Sequence, residues 1–162
     1  MAQKTQQTDS QGRKQGLWTE TVGRYGILCR GLYKDNLRQG LWKWYRYQSY
    51  WDSDNITEGS LYAEVNYVDG LKQGLQKWYY PDGVTLHEEG HYLDDKQHGL
   101  WKWYRRDGTL ESEGHYLNGG KHGLWKNYRR DGSYKKISFW KQDELLQENV
   151  LLLFLGYIDL IP

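Results

Sequence analysis

Gly99-Leu100-Trp101-Lys102-Trp103-Tyr104-Arg105-Arg106-Asp107-Gly108 is written five times along this chain, with variations. The copies open at Gly16, Gly40, Gly74, Gly99 and Gly123, at spacings of 24, 34, 25 and 24 residues. A fixed period announces a repeat architecture, in which each unit is one supersecondary element that buries its apolar surface against its neighbours.

Within a unit, Gly-Leu-Trp opens one strand, and a second strand ends in an aromatic residue: Tyr33, Tyr67, Tyr92, Tyr116 or Trp140. Asp82-Gly83, Asp107-Gly108 and Asp131-Gly132 supply the positive φ of tight hairpin turns, and Asp69-Gly70 and Asn118-Gly119-Gly120 do so at the opposite ends. Glycine at such short intervals opposes helix. The expected fold is all-β: an elongated single-layer antiparallel β-meander of about five hairpin repeats with a short apolar C-terminal cap. One hairpin is too small to stand alone, so rings must be shared across repeat boundaries. Side chains alternate along a strand, which puts Leu100 and Tyr104 on one face and Trp101 and Trp103 on the other. The Leu column (Leu17, Leu41, Leu75, Leu100, Leu124) never varies; the next reads Trp18, Trp42, Gln76, Trp101, Trp125.

Composition fits such a thin structure. Nine Trp and fifteen Tyr against two Phe favour rings that are buried yet still hydrogen-bond. A formal net charge of +1 supplies no broad field for nucleic acid. Cys29 is the single cysteine, which rules out an intramolecular disulfide and favours a reducing, cytoplasmic setting. The opening residues carry no hydrophobic run of the signal-peptide kind, and the apolar run from Val150 to Leu155 is too short to span a membrane.

Residues 1–15 read as a flexible polar arm and 16–140 as the repeat array, with an insertion near 47–60. Residues 141–162 read as an apolar cap on the last sheet edge or an oligomerisation segment centred on Leu152, Leu153 and Phe154. Asp143 is a possible start for a short helix there.

The pattern Gly-x-Trp-x-x-Tyr-x-x-x-Gly, matched by Gly99, Trp101, Tyr104 and Gly108 and by Gly123, Trp125, Tyr128 and Gly132, resembles the variant form of the MORN repeat. The resemblance covers roughly residues 12–140. It implies a gently twisted single-layer sheet with an aromatic groove, used as a scaffold or interaction module. Some members of the family associate with phospholipids, some dimerise, and the bacterial variant form is commonly labelled antitoxin-like. The repeat brings no catalytic residues.

No nucleophile elbow, phosphate loop or dinucleotide fingerprint is present, so neither catalytic residues nor a cofactor is expected. His91 with His115 and His98 with His122 recur in register about 9.6 Å apart, too far to share an ion, so no metal site is expected either. Glu88, Glu89, Glu111 and Glu113 face Lys102, Lys126, Arg105 and Arg129 as cross-strand charge pairs. Arg105, Arg106, Arg129 and Arg130 form a basic ladder that could meet anionic phospholipid. Trp44, Trp78 and Trp103 form a column that becomes Glu20 and Asn127 at its ends, and it reads as a partner-binding groove, joined by Tyr50 and Trp51 of the insertion. The expected partner is another protein or a second copy of the chain. A structural or assembly component, a phospholipid-associated module and a small enzyme are the alternatives.

Overall fold

The computed structural model describes residues 6–22, 27–46 and 59–148. Tyr50, Trp51, Leu152, Leu153 and Phe154 therefore lie outside the described residues. The chain forms β1 (Gln7–Thr8), β2 (Lys14–Val22), β3 (Ile27–Lys34), β4 (Leu37–Arg46), β5 (Leu61–Val68), β6 (Leu71–Lys72), β7 (Gly74–Tyr79), β8 (Leu86–Leu93), β9 (Lys96–Tyr104), β10 (Leu110–Leu117), β11 (Gly120–Tyr128), β12 (Tyr134–Lys141) and β13 (Glu144–Glu148). All are antiparallel neighbours in chain order within one open 13-stranded sheet, β6 and β7 both pairing with β5. Among the described residues there is no helix. At about 4.8 Å per strand the meander is about 50 Å across.

Two kinds of turn make two different rims. On one rim Asp35-Asn36, Asp69-Gly70, Asp94-Asp95, Asn118-Gly119 and Gln142-Asp143 all adopt positive φ, as two-residue hairpins require. These turns also lock each repeat to the one before. The N–H groups of Asn36, Gly70, Asp95, Gly119 and Asp143 donate to the carbonyls of Lys14, Arg38, Lys72, Gln97 and Lys121 at 2.9–3.2 Å. Gln15, Gln39 and Gln73 add side-chain hydrogen bonds to Asp35, Asp69 and Asp94.

On the other rim the turns close on Gly83, Gly108 and Gly132, at φ 73–82°, while Gly12, at φ 75°, closes the β1–β2 turn beside Asp35 on the first rim. The preceding aspartates accept hydrogen bonds from the chain beyond the turn. Asp107 Oδ1 takes the Thr109 N–H at 3.0 Å and its hydroxyl at 2.6 Å, and Asp131 takes Ser133 in the same way at 2.9 and 2.6 Å. Side-chain and backbone donors of Thr85, Thr109 and Ser133 thus hold the carboxyls of Asp82, Asp107 and Asp131 below the usual range. The Arg13 backbone N–H leads the groups that bring Asp9 down to about 2. A carboxyl with a lowered folded-state pKa contributes stability above its unfolded pKa of about 4, and that stability is lost as pH falls through the folded value. The melting temperature should therefore fall between about pH 4 and pH 2, and Asp9→Asn with Asp107→Asn should flatten that slope; an unchanged slope would refute the assignment.

Two stretches differ from the sequence reading. Part of the expected polar arm is built into the sheet: β1 pairs with β2 because Asp9 accepts the Gln11 and Arg13 N–H groups and its carboxylate binds the Arg13 guanidinium at 2.7 Å. Asp143 begins no helix; it sits in a hairpin turn at φ 67°, and β13 pairs along the edge of β12.

Candidate functional site

The first strand of each repeat from the second to the fifth carries a two-residue bulge at its Gly-Leu step, against the strand before it. Gly90 pairs with Trp101 and the next residue, His91, with His98, so Gly99 and Leu100 are looped out. Gly114 and His115 pair with Trp125 and His122 in the same way. The bulge glycines Gly40, Gly74, Gly99 and Gly123 hold φ of 64–74°.

The bulge throws the following tryptophan over the glycine of the preceding strand. A Cβ on Gly31, Gly90 or Gly114 would lie 2.2–2.3 Å from the ring of Trp42, Trp101 or Trp125. Each indole N–H then donates at 3.1 Å to the carbonyl just beyond that glycine, on Leu32, His91 or His115. Repeat three departs from this pattern consistently. Val65 replaces the glycine, and Gln76, fully buried, replaces the ring while donating to the equivalent Asn66 carbonyl at 3.2 Å.

The tryptophans interleave with the second-strand tyrosines into one aromatic face. Edge contacts run Trp18–Tyr33–Trp42–Tyr67 at 5.0–6.3 Å and Tyr92–Trp101–Tyr116–Trp125 at 5.1–5.8 Å, and Gln76 stands in the gap. Trp42 and Trp101 are buried. Trp44, Trp78 and Trp103, the expected partner-binding column, share this face and are half-buried. Trp78 leans on Trp101 at 5.6 Å, and Trp103 lies between Trp101 and Trp125 at 5.9 and 5.3 Å. Trp103 donates to Glu88 at 2.6 Å, whereas the buried Trp44 N–H has no partner among the described residues.

Cations two residues before the Gly-Leu step lie over these rings in every repeat but the fourth, where Gln97 holds the position. Lys14 covers Trp18 and Tyr33, Arg38 covers Trp42, Trp44 and Tyr67, Lys72 covers Tyr92, and Lys121 covers Trp125 and Trp140, all at 4.5–5.5 Å. The sequence reading missed this column, although its signal was a basic residue at a fixed offset in four of five repeats. In repeat one, Glu20 joins it, bound to Lys14, to Arg38 at 3.3 Å and to the Tyr33 hydroxyl at 3.1 Å. Burial opposes ionisation of Glu20, but these three donors hold its carboxyl below the usual range. Cys29 is buried beside them, and burial pushes its thiol up to about 11, which makes it a poor nucleophile at neutral pH.

The opposite face is polar. Lys43, Glu64, Lys77, Glu89, Lys102, Glu113 and Lys126 stand opposite one another in alternating charge. Tyr79, Tyr104 and Tyr128 donate to Glu64, Glu89 and Glu113 at 2.8–2.9 Å. Burial first and these carboxylates second push the Tyr79 and Tyr104 phenols up to about 12. Glu89 and Glu113 thus face Lys102 and Lys126 across strands, as the sequence implied, whereas Glu88 stands opposite Trp78 and Trp103 on the aromatic face.

The arginine ladder splits in two. Arg105 donates to the carbonyls of Leu110 and Tyr128, and Arg129 to that of Tyr134, so both are turn staples. Arg106 and Arg130 are exposed, with Arg130 lying 4.0 Å from Asp107. The histidines also pair differently from expectation: His91 faces His98 and His115 faces His122 directly across strands, since the bulge slides them together. Among the described residues no three His, Cys, Asp or Glu side chains are grouped to hold a metal ion.

Residues 72–94 and 97–118 each match a family described as the MORN repeat variant. No curated protein matches the chain. Among solved structures, one titled "Crystal Structure of TarM" is similar at a TM-score of 0.40 and 16% identity, over 71% of this chain and 21% of that one. The match thus spans about a fifth of that protein's length.

Proposed function

On the premise that this chain carries MORN repeats of the variant form, we propose that it is a non-enzymatic interaction module that grips another protein with its aromatic face. One observation carries the proposal. The half-exposed rings of Trp44, Trp78 and Trp103 run along one side of a single-layer sheet, and among the described residues no second layer covers them. Tryptophan anchors of this kind dominate interface energies. The other face is self-satisfied, its charges paired with one another and its tyrosines bonded to glutamates. The cytoplasm, where a lone free thiol persists, is the proposed compartment.

Affinity capture followed by mass spectrometry tests this with three baits: the wild-type chain, Trp78→Ser and the polar-face variant Lys77→Gln. Trp78→Ser should lose its captured protein at least tenfold while Lys77→Gln retains it, with circular dichroism showing both variants folded at the assay temperature. Equal capture by Trp78→Ser, or loss confined to Lys77→Gln, would overturn the proposal. The same three proteins in flotation with vesicles containing anionic lipid provide the competing outcome, and flotation without protein capture would replace a protein partner with a membrane.

A further inference from the structure

We propose that the groove around Asn127 docks an acidic segment of the partner, with a carboxylate seated on Lys121. The inference rests on the reading of the aromatic face as the interface. It comes from comparing the repeats with one another. The position filled by Trp44, Trp78 and Trp103 in the three central repeats holds Glu20 in the first and Asn127 in the last.

In the first repeat the chain supplies its own anion. Glu20 is bound by Lys14, which lies over Trp18 and Tyr33. In the last repeat Lys121 is the equivalent cation, set over Trp125 and Trp140 at 4.5 and 4.6 Å. No carboxylate among the described residues pairs with its ammonium group. Asn127 leaves both the ring and the anion out, and a groove of about 470 Å³ opens there. Trp103, Trp125 and Trp140 line it, with the small Ser112 beside Asn127. Neither the Asn127 amide nor the Ser112 hydroxyl has a side-chain hydrogen bond to the described residues.

The other charges at the groove are already engaged. Lys136 is paired with Glu148, Glu111 lies 3.9 Å from Arg105, and the His87 ring packs on Tyr80 at 4.8 Å. What remains is one unpaired cation on an aromatic floor beside free neutral hydrogen-bonding groups. A carboxylate on Lys121 reproduces the Glu20 arrangement, and an aromatic side chain next to it takes the place of the absent ring. Charge complementarity thus selects an acidic, aromatic peptide.

A random glutamate–tyrosine copolymer is a suitable probe, with a lysine–tyrosine copolymer as the control, titrated by calorimetry at low and high salt. The wild-type chain should bind the acidic copolymer, more weakly at high salt, and ignore the basic one. Lys121→Gln should weaken binding at least tenfold. Asn127→Glu should do the same while raising the melting temperature, because it gives Lys121 the partner that Lys14 has. Lys77→Gln, on the opposite face, should bind as wild type. Undiminished binding by Lys121→Gln, or equal binding of the two copolymers, overturns the groove assignment. If Trp78→Ser still abolishes protein capture in that event, the aromatic face stands without this groove; if it does not, both readings fall.

Discussion

Gly90→Val is expected to lower the melting temperature by about 10 °C, from roughly 3 kcal/mol of overpacking at about 3 °C per kcal/mol in a chain of this size. An added Cβ would lie 2.2 Å from the Trp101 ring, closer than real Cβ atoms come, and that atom is part of a rigid bicycle. Nor can the ring step aside. It is buried, bonded through its N–H to His91 O, and wedged among Tyr92, Tyr116, Trp78 and Trp103. The third repeat contains the remedy, since Val65 is accommodated where Gln76 replaces the ring. Gly90→Val should therefore change sign, becoming neutral or stabilising in a Trp101→Gln background. Thermal melts of the four proteins of this cycle decide the matter. Equal costs in both backgrounds would mean that glycine and tryptophan are not coupled across the bulge.

Arg38→Gln should cost about 2–3 kcal/mol. Arg38 touches more of the aromatic face than any other cation on it: its guanidinium stacks within 5.5 Å of Trp42, Trp44 and Tyr67, donates to the Tyr33 and Tyr67 hydroxyls, and pairs with Glu20. The expected loss lies below the 3–5 kcal/mol of a fully orphaned buried charge because Lys14 still holds Glu20. Its side chain also keeps 24% of its surface exposed, which screens part of the pairing. Arg38→Lys should recover only a fraction, since an ammonium cannot stack on rings and reach two hydroxyls and a carboxylate together. Glu20→Gln should couple with Arg38→Gln, the double variant costing less than the sum. Full recovery by lysine, or additive costs, would show that the guanidinium geometry is immaterial.

Much of the fold was legible from residues alone because its determinants are local. Asp-Gly and Asn-Gly pairs admit positive φ, and strict alternation from Leu100 to Tyr104 assigns each side chain a face. The expected sharing of rings between repeats also follows from sequence, since no 24-residue hairpin closes its own core. The candidate site was only half visible. Trp44, Trp78 and Trp103 were found as a column, but nothing local revealed that Arg105 and Arg129 are consumed by main-chain carbonyls.

What the sequence by itself determined is the period, the hairpins, the turns and the assignment of alternate side chains to two faces, all set by φ preference and side-chain alternation within a few residues. What only the tertiary structure decided is which side chain meets which across the strands. Looping out Gly-Leu slides each strand by two residues against its neighbour, and that offset seats Trp101 on Gly90 and His98 against His91. Such a displacement has no signature in either strand alone, because it is a relation between two segments and is set by the packing of both.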